Sequence, residues 1–205
     1  MVFYFTATGN SLYAARHFSE QPVSIPQIMR GTRRQFADDS IGVICPVYAG
    51  QPPELVLRFL RESGFQTDYF YMILTYGHDQ SDAPEFTAGL LKQYGIHVDY
   101  IGTIKMVDNY LPVFDMEEEM AIDKHVEEQL TAEKKAVDER RREIPEATEE
   151  GRAKRKSQTC EFCLACVHNC PQKAIGLRMA DKNPNARYRN EHVSLKEIME
   201  ANGRQ

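Results

Sequence analysis

Short apolar runs alternate with amphipathic segments from Met1 to about Tyr110, and this alternation constrains the fold more than any other feature. Such a pattern is typical of parallel strands whose two faces are both covered by helices. The sequence predicts strands at Val2–Phe5, Val23–Ile25, Ile41–Val47, Tyr69–Thr75 and Tyr100–Met106. It predicts helices at Ser11–Ser19, Pro53–Glu62 and Pro84–Tyr94. We therefore expect an α/β fold with a doubly wound, five-stranded parallel sheet.

Length and composition exclude several classes of protein. A chain of 205 residues, 42% of them hydrophobic, can form one ordinary domain and a small appendage. A net charge of −5 gives no reason to expect nucleic acid as a partner. The apolar run at the N-terminus is too short for a signal peptide, and no stretch approaches the roughly 20 apolar residues of a membrane span. We expect a cytoplasmic protein that binds neither nucleic acid nor a membrane.

More than half of the residues between Met116 and Lys156 are charged, which divides the chain into three parts. We predict a sheet domain at 1–114, a charged helical connector at 115–156 and a cysteine-containing module with its tail at 157–205. One helical face of the connector carries apolar residues: Val126, Leu130, Val137 and Ile144. This stripe predicts a long charged helix that packs one side against the sheet domain. Glutamates interrupt the basic residues, which argues against a nucleic-acid-binding patch.

A polar loop lies between the first predicted strand and the first predicted helix, and it reads Thr6-Ala7-Thr8-Gly9-Asn10-Ser11. Open α/β sheets bind ligands at this position, outside the carboxyl ends of their strands. Hydroxyl groups, an amide, a glycine and the N–H groups of a helix N-terminus together suit a phosphate. The loop has neither a Walker lysine nor the G-x-G-x-x-G pattern, so a single terminal phosphate is favoured. The alternative is an ordinary strand-to-helix turn with polar caps.

Four of the five cysteines lie within eleven residues, at Cys160, Cys163, Cys166 and Cys170. Their spacing, C-x2-C-x2-C-x3-C-P, is the bacterial ferredoxin run that ligates [4Fe–4S] clusters. Zinc also accepts four thiolates and is the alternative metal, although zinc sites more often use two separated C-x2-C pairs. The fifth cysteine, Cys45, lies within a predicted buried strand, where a core position is expected.

The segment Phe5–Ser11 resembles the T/S-x-T-G-N-T/S phosphate loop of flavodoxins, which holds the phosphate of FMN. The resemblance implies FMN binding through Thr6, Thr8, Gly9, Asn10 and Ser11. Two later strand-end loops would hold the isoalloxazine ring, through Tyr48, Ala49, Gly50, Thr75, Tyr76 and Gly77. The two tyrosines are the stacking candidates, because an aromatic face packs well on a flat ring. Either tyrosine could instead cover the edge of the sheet.

The order of the parts resembles flavodoxin–ferredoxin fusion proteins, and the likeness includes two further segments, Met106–Tyr110 and Asn185–Asn190. Members of that family usually carry two cysteine runs, whereas this chain has one. In two-cluster ferredoxins the fourth cysteine of each run ligates the other cluster. Three solutions stay open: Cys170 completes its own cluster, Cys45 supplies the fourth thiolate, or two chains pair so that each Cys170 serves the cluster of its partner.

Together these features predict an electron-transfer flavoprotein that relays electrons between FMN and a [4Fe–4S] centre. Its partner would be a redox protein or a small-molecule acceptor. Two alternatives remain: an FMN-dependent reductase of a small acceptor such as a quinone, and a zinc-stapled, non-redox interaction module with a flavodoxin-like fold. The sequence singles out no catalytic residue, because it shows no Ser-His-Asp or paired-carboxylate constellation, and its acidic residues are densest in the connector.

Overall fold

The structure is a computed structural model that describes residues 1–80, 82–145, 163–169 and 181–202. Its strands are β1 (Val2–Tyr4), β2 (Val23–Ser24), β3 (Gln35–Ala37), β4 (Ser40–Pro46), β5 (Gly64–Gln66), β6 (Tyr69–Tyr76) and β7 (Tyr100–Lys105). Five of them form an all-parallel sheet in the order β2-β1-β4-β6-β7. Counted along the chain, this order is 2-1-3-4-5. The predicted α/β class and the five-stranded parallel sheet are confirmed.

Eight helices accompany these strands in the described part of the chain. They are α1 (Asn10–Phe18), α2 (Ile25–Arg30), α3 (Glu54–Glu62), α4 (Ala83–Gln93), α5 (Met116–Ala121), α6 (Val126–Asp138), α7 (Ala165–His168) and α8 (Leu195–Ala201). The sequence did not predict α2, which shortens the second strand. The Ser24 side chain accepts a hydrogen bond from the Gln27 N–H group and Pro26 lies in the first turn, so the chain becomes helical at Ile25.

Successive residues of each strand point to opposite faces of the sheet, and this builds two separate cores. In β6, Tyr71 and Ile73 face one core while Met72 and Leu74 face the other. The first core is covered by α1, α6 and α8 through Leu12, Ala15, Leu130, Val137, Ile198 and Ala201. The second is covered by α2, α3 and α4 through Ile25, Val56, Phe59, Leu60, Ala83 and Leu91. Both faces are therefore buried, which explains why the strands are apolar nearly throughout.

A second, two-stranded parallel sheet pairs β3 with β5, and the sequence did not predict it. Phe36 of β3 and Phe65 of β5 stack with ring centroids 5.9 Å apart. Phe59 of α3 lies within 5.8 Å of both rings. This aromatic cluster extends the second core beyond the main sheet.

The connector differs from the single long helix that its composition predicts. Its described residues form two helices, α5 and α6, with Ile122–His125 between them. The backbone of His125 adopts a left-handed conformation (φ +51°) at the start of α6, and that of Arg140 does so (φ +51°) just after its end. The predicted apolar stripe is buried at Leu130 and Val137, whereas Ile144, beyond the helix, is 36% exposed.

The C-terminal segment packs on the same face of the sheet as α1. Helix α8 begins with a capping box in which Ser194 and Glu197 satisfy each other's backbone N–H groups. Val193 and Ile198 are buried in the first core. A third apolar cluster joins the C-terminal segment to the stretch after β7 and to the cysteine segment. Its buried members are Leu111, Met116, Leu164, Val167, Ala186 and Tyr188. Among the described helices, none has the length and apolar character needed to cross a bilayer.

Candidate functional site

A cavity of about 670 Å³ opens at the carboxyl ends of the strands. Because β1, β4, β6 and β7 run parallel, the four loops that follow them meet at one edge of the sheet. The lining comes from these loops and from the start of the cysteine segment: Thr6, Ala7, Thr8, Asn10, Ser11, Pro46, Val47, Tyr48, Ala49, Gly50, Thr75, Tyr76, Gly77, His78, Asp79, Val107, Asp108, Asn109, Tyr110, Phe114, Cys163 and Leu164.

The structure brings ten of the eleven predicted cofactor residues together around this cavity. They are Thr6, Thr8, Asn10, Ser11, Tyr48, Ala49, Gly50, Thr75, Tyr76 and Gly77. The exception is Gly9, whose backbone lies against the C-terminal segment. It adopts φ +106°, and a Cβ atom there would lie 3.0 Å from the Cβ atoms of Asn190 and Val193. Both the conformation and the close approach therefore require glycine at this position.

The hydroxyl groups of the Thr6–Ser11 loop are buried and already hydrogen-bonded. Thr6 Oγ1 accepts from the Gly9 N–H group at 3.1 Å, and Thr8 Oγ1 accepts from Asn109 Nδ2 at 2.6 Å. Ser11 Oγ and Thr75 Oγ1 share one bond of 2.8 Å. A hydroxyl that accepts a bond keeps its own proton. Thr6 and Thr8 can therefore still donate to a ligand in the cavity.

The loop also offers backbone donors at the N-terminus of α1. Within the described part of the chain, the N–H groups of Thr8, Asn10 and Ser11 donate to no other protein group. Unpaired N–H groups and the helix dipole attract an anion. No Lys or Arg belongs to the described lining of the cavity. An anion there would therefore be held by N–H and O–H groups rather than by a cationic side chain.

The loop after β4 is a tight turn at the far side of the cavity. Tyr48 and Gln51 exchange two backbone hydrogen bonds of 2.8 and 3.3 Å. The two residues between them, Ala49 and Gly50, have φ of +50° and +78°. Positive φ at both central positions is the geometry of a primed β-turn, in which alanine is strained. The Tyr48 ring stands edge-on to Phe5, with centroids 6.4 Å apart.

The loop after β6 is held by a partly buried carboxylate, that of Asp108. Asp108 accepts hydrogen bonds from the N–H groups of His78 at 2.9 Å and Tyr110 at 3.0 Å. Burial raises the pKa of Asp108, although both N–H groups act in the opposite direction. Gly77 lies directly against this carboxylate, and a Cβ atom there would be 2.3 Å from Asp108 Oδ2. Burial also raises the pKa of the neighbouring Tyr76 hydroxyl.

Asn109 and Tyr188, which were not among the predicted site residues, connect the loop after β7 to the rest of the site. Asn109 donates to Thr8, and its carbonyl oxygen lies 2.7 Å from His168 Nε2. The other ring nitrogen, His168 Nδ1, accepts from the Tyr188 N–H group at 3.0 Å. An N–H group can only donate, so Nδ1 carries no proton and Nε2 donates to Asn109. The rule that ligands bind at strand ends points to Asn109. Tyr188 lies in the segment Asn185–Asn190, which the family resemblance singled out without giving it a role.

The predicted metal ligands are described only in part. Cys163 lines the cavity and is partly exposed. Cys160 and Cys170 lie outside the described residues, and so does the side chain of Cys166. The described residues contain no group of three or more His, Cys, Asp or Glu that could hold a metal ion. The predicted four-thiolate site therefore stays a prediction.

Cys45 is a core residue, as its position in a buried strand led us to expect. Its side chain is fully buried in the second core, on β4, and is not part of the described cavity lining. Burial raises the pKa of its thiol, which keeps it protonated and unreactive. These surroundings give no support to Cys45 as the fourth cluster ligand.

Comparisons of the chain with protein-family models, with curated proteins and with solved structures find no match.

Proposed function

We propose that this chain is an electron-transfer flavoprotein that binds FMN in the cavity and a [4Fe–4S] cluster at its cysteine run. The observation that carries the proposal is the cavity itself. It gathers the polar loop after β1, two tyrosine-bearing loops and Cys163, the second cysteine of the run. A flavin bound there would lie beside a cluster ligand, as direct electron transfer between the two centres requires.

The residues present suit FMN, beginning with its phosphate. The strand order 2-1-3-4-5 is that of flavodoxin-like sheets, in which the ligand lies where the strand order reverses, between the ends of β1 and β4. The Thr6–Ser11 loop offers free N–H groups and two hydroxyl protons at that point. Tyr48 and Tyr76, both partly buried, line the same cavity and can cover a flat ring.

When bound, FMN would accept or release electrons singly or in pairs, which joins two-electron donors to one-electron carriers. The chain's own residues would bind, orient and shield it. The Thr6–Ser11 loop would fix the phosphate, and the tyrosines would limit the access of water to the ring. Asp108 would hold the loop after β6 in place through the His78 N–H group. The physiological partner would be a redox protein or a small acceptor in a reducing, cytoplasmic setting.

At the cysteine run, Cys160, Cys163, Cys166 and Cys170 would supply thiolates to iron. We propose either that Cys170 completes the cluster of its own chain or that it serves the cluster of a second copy in a homodimer. Sedimentation of the reconstituted protein distinguishes the two arrangements. A strictly monomeric protein with a complete [4Fe–4S] cluster would exclude the shared one.

The absorption spectrum of the full chain purified under anaerobic conditions, together with its iron, acid-labile sulfide and zinc content, tests the proposal. We expect both flavin and iron–sulfur bands. Cys163→Ser should lose most of the iron, whereas Cys45→Ala, which removes a core thiol, should retain it. Zinc without iron would support the non-redox module instead. A protein that takes up no FMN when incubated with it would overturn the flavin assignment.

A further inference from the structure

Residues far along the chain cover the back of the Thr6–Ser11 loop. Three successive carbonyl oxygens accept hydrogen bonds from them: Thr6 from Asn202 Nδ2 at 3.2 Å, Ala7 from Asn169 Nδ2 at 3.4 Å and Thr8 from the Asn190 N–H group at 2.9 Å. The acceptors of the loop are thus occupied by protein groups, while several of its donors are not. The loop is therefore built to present donors to the cavity.

The Asn10 side chain is the most tightly determined group of this loop. Its Oδ1 atom accepts from Tyr188 Oη at 2.6 Å and from Asn190 Nδ2 at 3.3 Å, while its Nδ2 atom donates to the Val107 carbonyl at 3.3 Å. The Asn10 residue is 8% exposed and lines the cavity. One Nδ2 hydrogen is used on Val107. Among the described residues the second has no acceptor, so it is available to a ligand oxygen.

The orientation of both amides follows from backbone groups whose roles are unambiguous. The His192 N–H group lies 3.0 Å from Asn190 Oδ1 and can only donate, so the Asn190 oxygen faces His192. The Asn190 NH2 group must then face Asn10, which turns the Asn10 oxygen toward it. At the other end, the Val107 carbonyl can only accept, which requires the Asn10 NH2 group there. Reversing either amide would set donor against donor.

Tyr188 stabilises the same orientation. Its side chain is buried, and its hydroxyl donates a hydrogen bond to the Asn10 oxygen, which the Asn190 NH2 group and the Val107 carbonyl turn toward it. Its backbone N–H group is anchored on His168. Two donors from one C-terminal segment thus converge on a single amide oxygen at the N-terminus of α1.

We infer that Tyr188 and Asn190 are positioning residues for a phosphate ester bound at the Thr6–Ser11 loop. They hold the oxygen of Asn10 away from the ligand, so that its NH2 group is presented as a donor. The inference rests on the proposed FMN site and adds to it two residues from the opposite end of the chain. Without them only the long bond to the Val107 carbonyl, at 3.3 Å, would fix the Asn10 amide, and its oxygen could turn toward the phosphate.

The test compares two flavins that differ only in the phosphate. The full chain, freed of flavin, is titrated with FMN and with riboflavin, and dissociation constants are read from flavin fluorescence. Tyr188→Phe removes only the hydroxyl. Asn190→Ser can keep the bond from the His192 N–H group but is too short to reach Asn10. In each variant we expect the Kd for FMN to rise roughly three- to ten-fold, as for one lost hydrogen bond, and the Kd for riboflavin to stay unchanged.

Tyr69→Phe is the matched control, because Tyr69 is another buried tyrosine whose hydroxyl donates to a distant carbonyl, that of Arg141. It should leave both dissociation constants unchanged. The 31P resonance of bound FMN should shift in Tyr188→Phe but not in Tyr69→Phe. An unchanged FMN affinity in both site variants, or an equal loss of affinity for both flavins, would overturn the positioning role. A wild-type chain that binds neither flavin would overturn the proposed function, and this inference with it.

Discussion

The two ends of the cavity are built in different ways. At the phosphate end, Thr6, Thr8 and Ser11 are at most 2% exposed, and residues from the C-terminal segment contact the loop from behind. At the ring end, Ala49 and His78 are exposed. The turn at Ala49 is held by two hydrogen bonds between Tyr48 and Gln51.

This difference separates two requirements of ligand binding. A phosphate is recognised by hydrogen bonds, which weaken steeply when donors are misaligned, so its loop must be rigid before the ligand arrives. An aromatic ring is held mainly by contact area, which tolerates small displacements. The phosphate end therefore uses contacts across the whole length of the chain, whereas the ring end is held by the turn at Ala49 and by Asp108 from a neighbouring strand-end loop. Substitutions of single glycines test this distinction.

The largest effect is expected for Gly9→Ala. The new Cβ atom would need a left-handed backbone and would press on Asn190 and Val193 at 3.0 Å. We expect the free energy of unfolding, measured with urea, to fall by about 2–4 kcal/mol. Affinity for FMN should fall more than affinity for riboflavin.

Gly95→Ala is the control for this substitution, since Gly95 has φ +76° but no atom within 4 Å of the added Cβ. Its free energy of unfolding should fall only by the cost of the left-handed backbone, about 1–2 kcal/mol. Equal losses in the two variants would mean that contact with the C-terminal segment does not constrain the phosphate loop.

A smaller effect is expected at the ring end for Gly77→Ala. Its Cβ atom would lie 2.3 Å from Asp108 Oδ2 and 2.4 Å from Asp108 Cβ, so the loop carrying Asp108 must move. We expect a loss of about 1–3 kcal/mol in the free energy of unfolding. FMN and riboflavin should lose affinity equally, because both share the ring. Gly89→Ala is the control, because Gly89 lies in α4 and no atom lies within 4 Å of the added Cβ. Its free energy of unfolding should instead rise by about 0.5–1 kcal/mol. A selective loss of FMN affinity in Gly77→Ala would contradict the division between the two ends.

The smallest effect is expected for Ala49→Gly, which relieves the strained φ of +50°. Relief of strain and the added freedom of the unfolded chain nearly cancel, so stability should rise by less than about 1 kcal/mol. The same substitution in a helix, Ala88→Gly, should instead destabilise by about 1 kcal/mol. Urea unfolding of both variants measures the contrast, and a destabilised Ala49→Gly would argue against strain in the turn.

Much of the sheet was predictable because its signal is local. Strands β4 and β6 are buried on both faces, so they appear in the sequence as continuous apolar runs. The small sheet was not predictable, since β3 and β5 are three residues each, and two of the residues of β3 are exposed. The break between α5 and α6 was missed as well. It depends on backbone turns at Ile122–His125 rather than on a change of composition.

The strand-end loops that line the cavity were predictable for a topological reason. Parallel strands present their carboxyl ends together, so the loops at Thr6, Tyr48 and Tyr76 had to meet. The contacts that the C-terminal segment makes with the Thr6–Ser11 loop were not predictable. The bond between Tyr188 and Asn10 joins residues 178 positions apart and has no periodicity that a sequence pattern could carry. Polar contacts of this kind depend on how the C-terminal segment packs, which the completed fold determines.

The residues that follow α6 pair with the outer edge of strand β7. Strand β7 lies at one end of the sheet, where unpaired N–H and C=O groups could recruit a strand from another molecule. The Glu143 carbonyl accepts from the Ile101 N–H group at 3.1 Å, and the Glu143 N–H group donates to the Asp99 carbonyl at 3.0 Å. Glu143, a charged residue, thus pairs with Tyr100 at the start of β7 in parallel register. This pairing occupies backbone groups at Asp99 and Ile101 that a strand from another molecule would otherwise use.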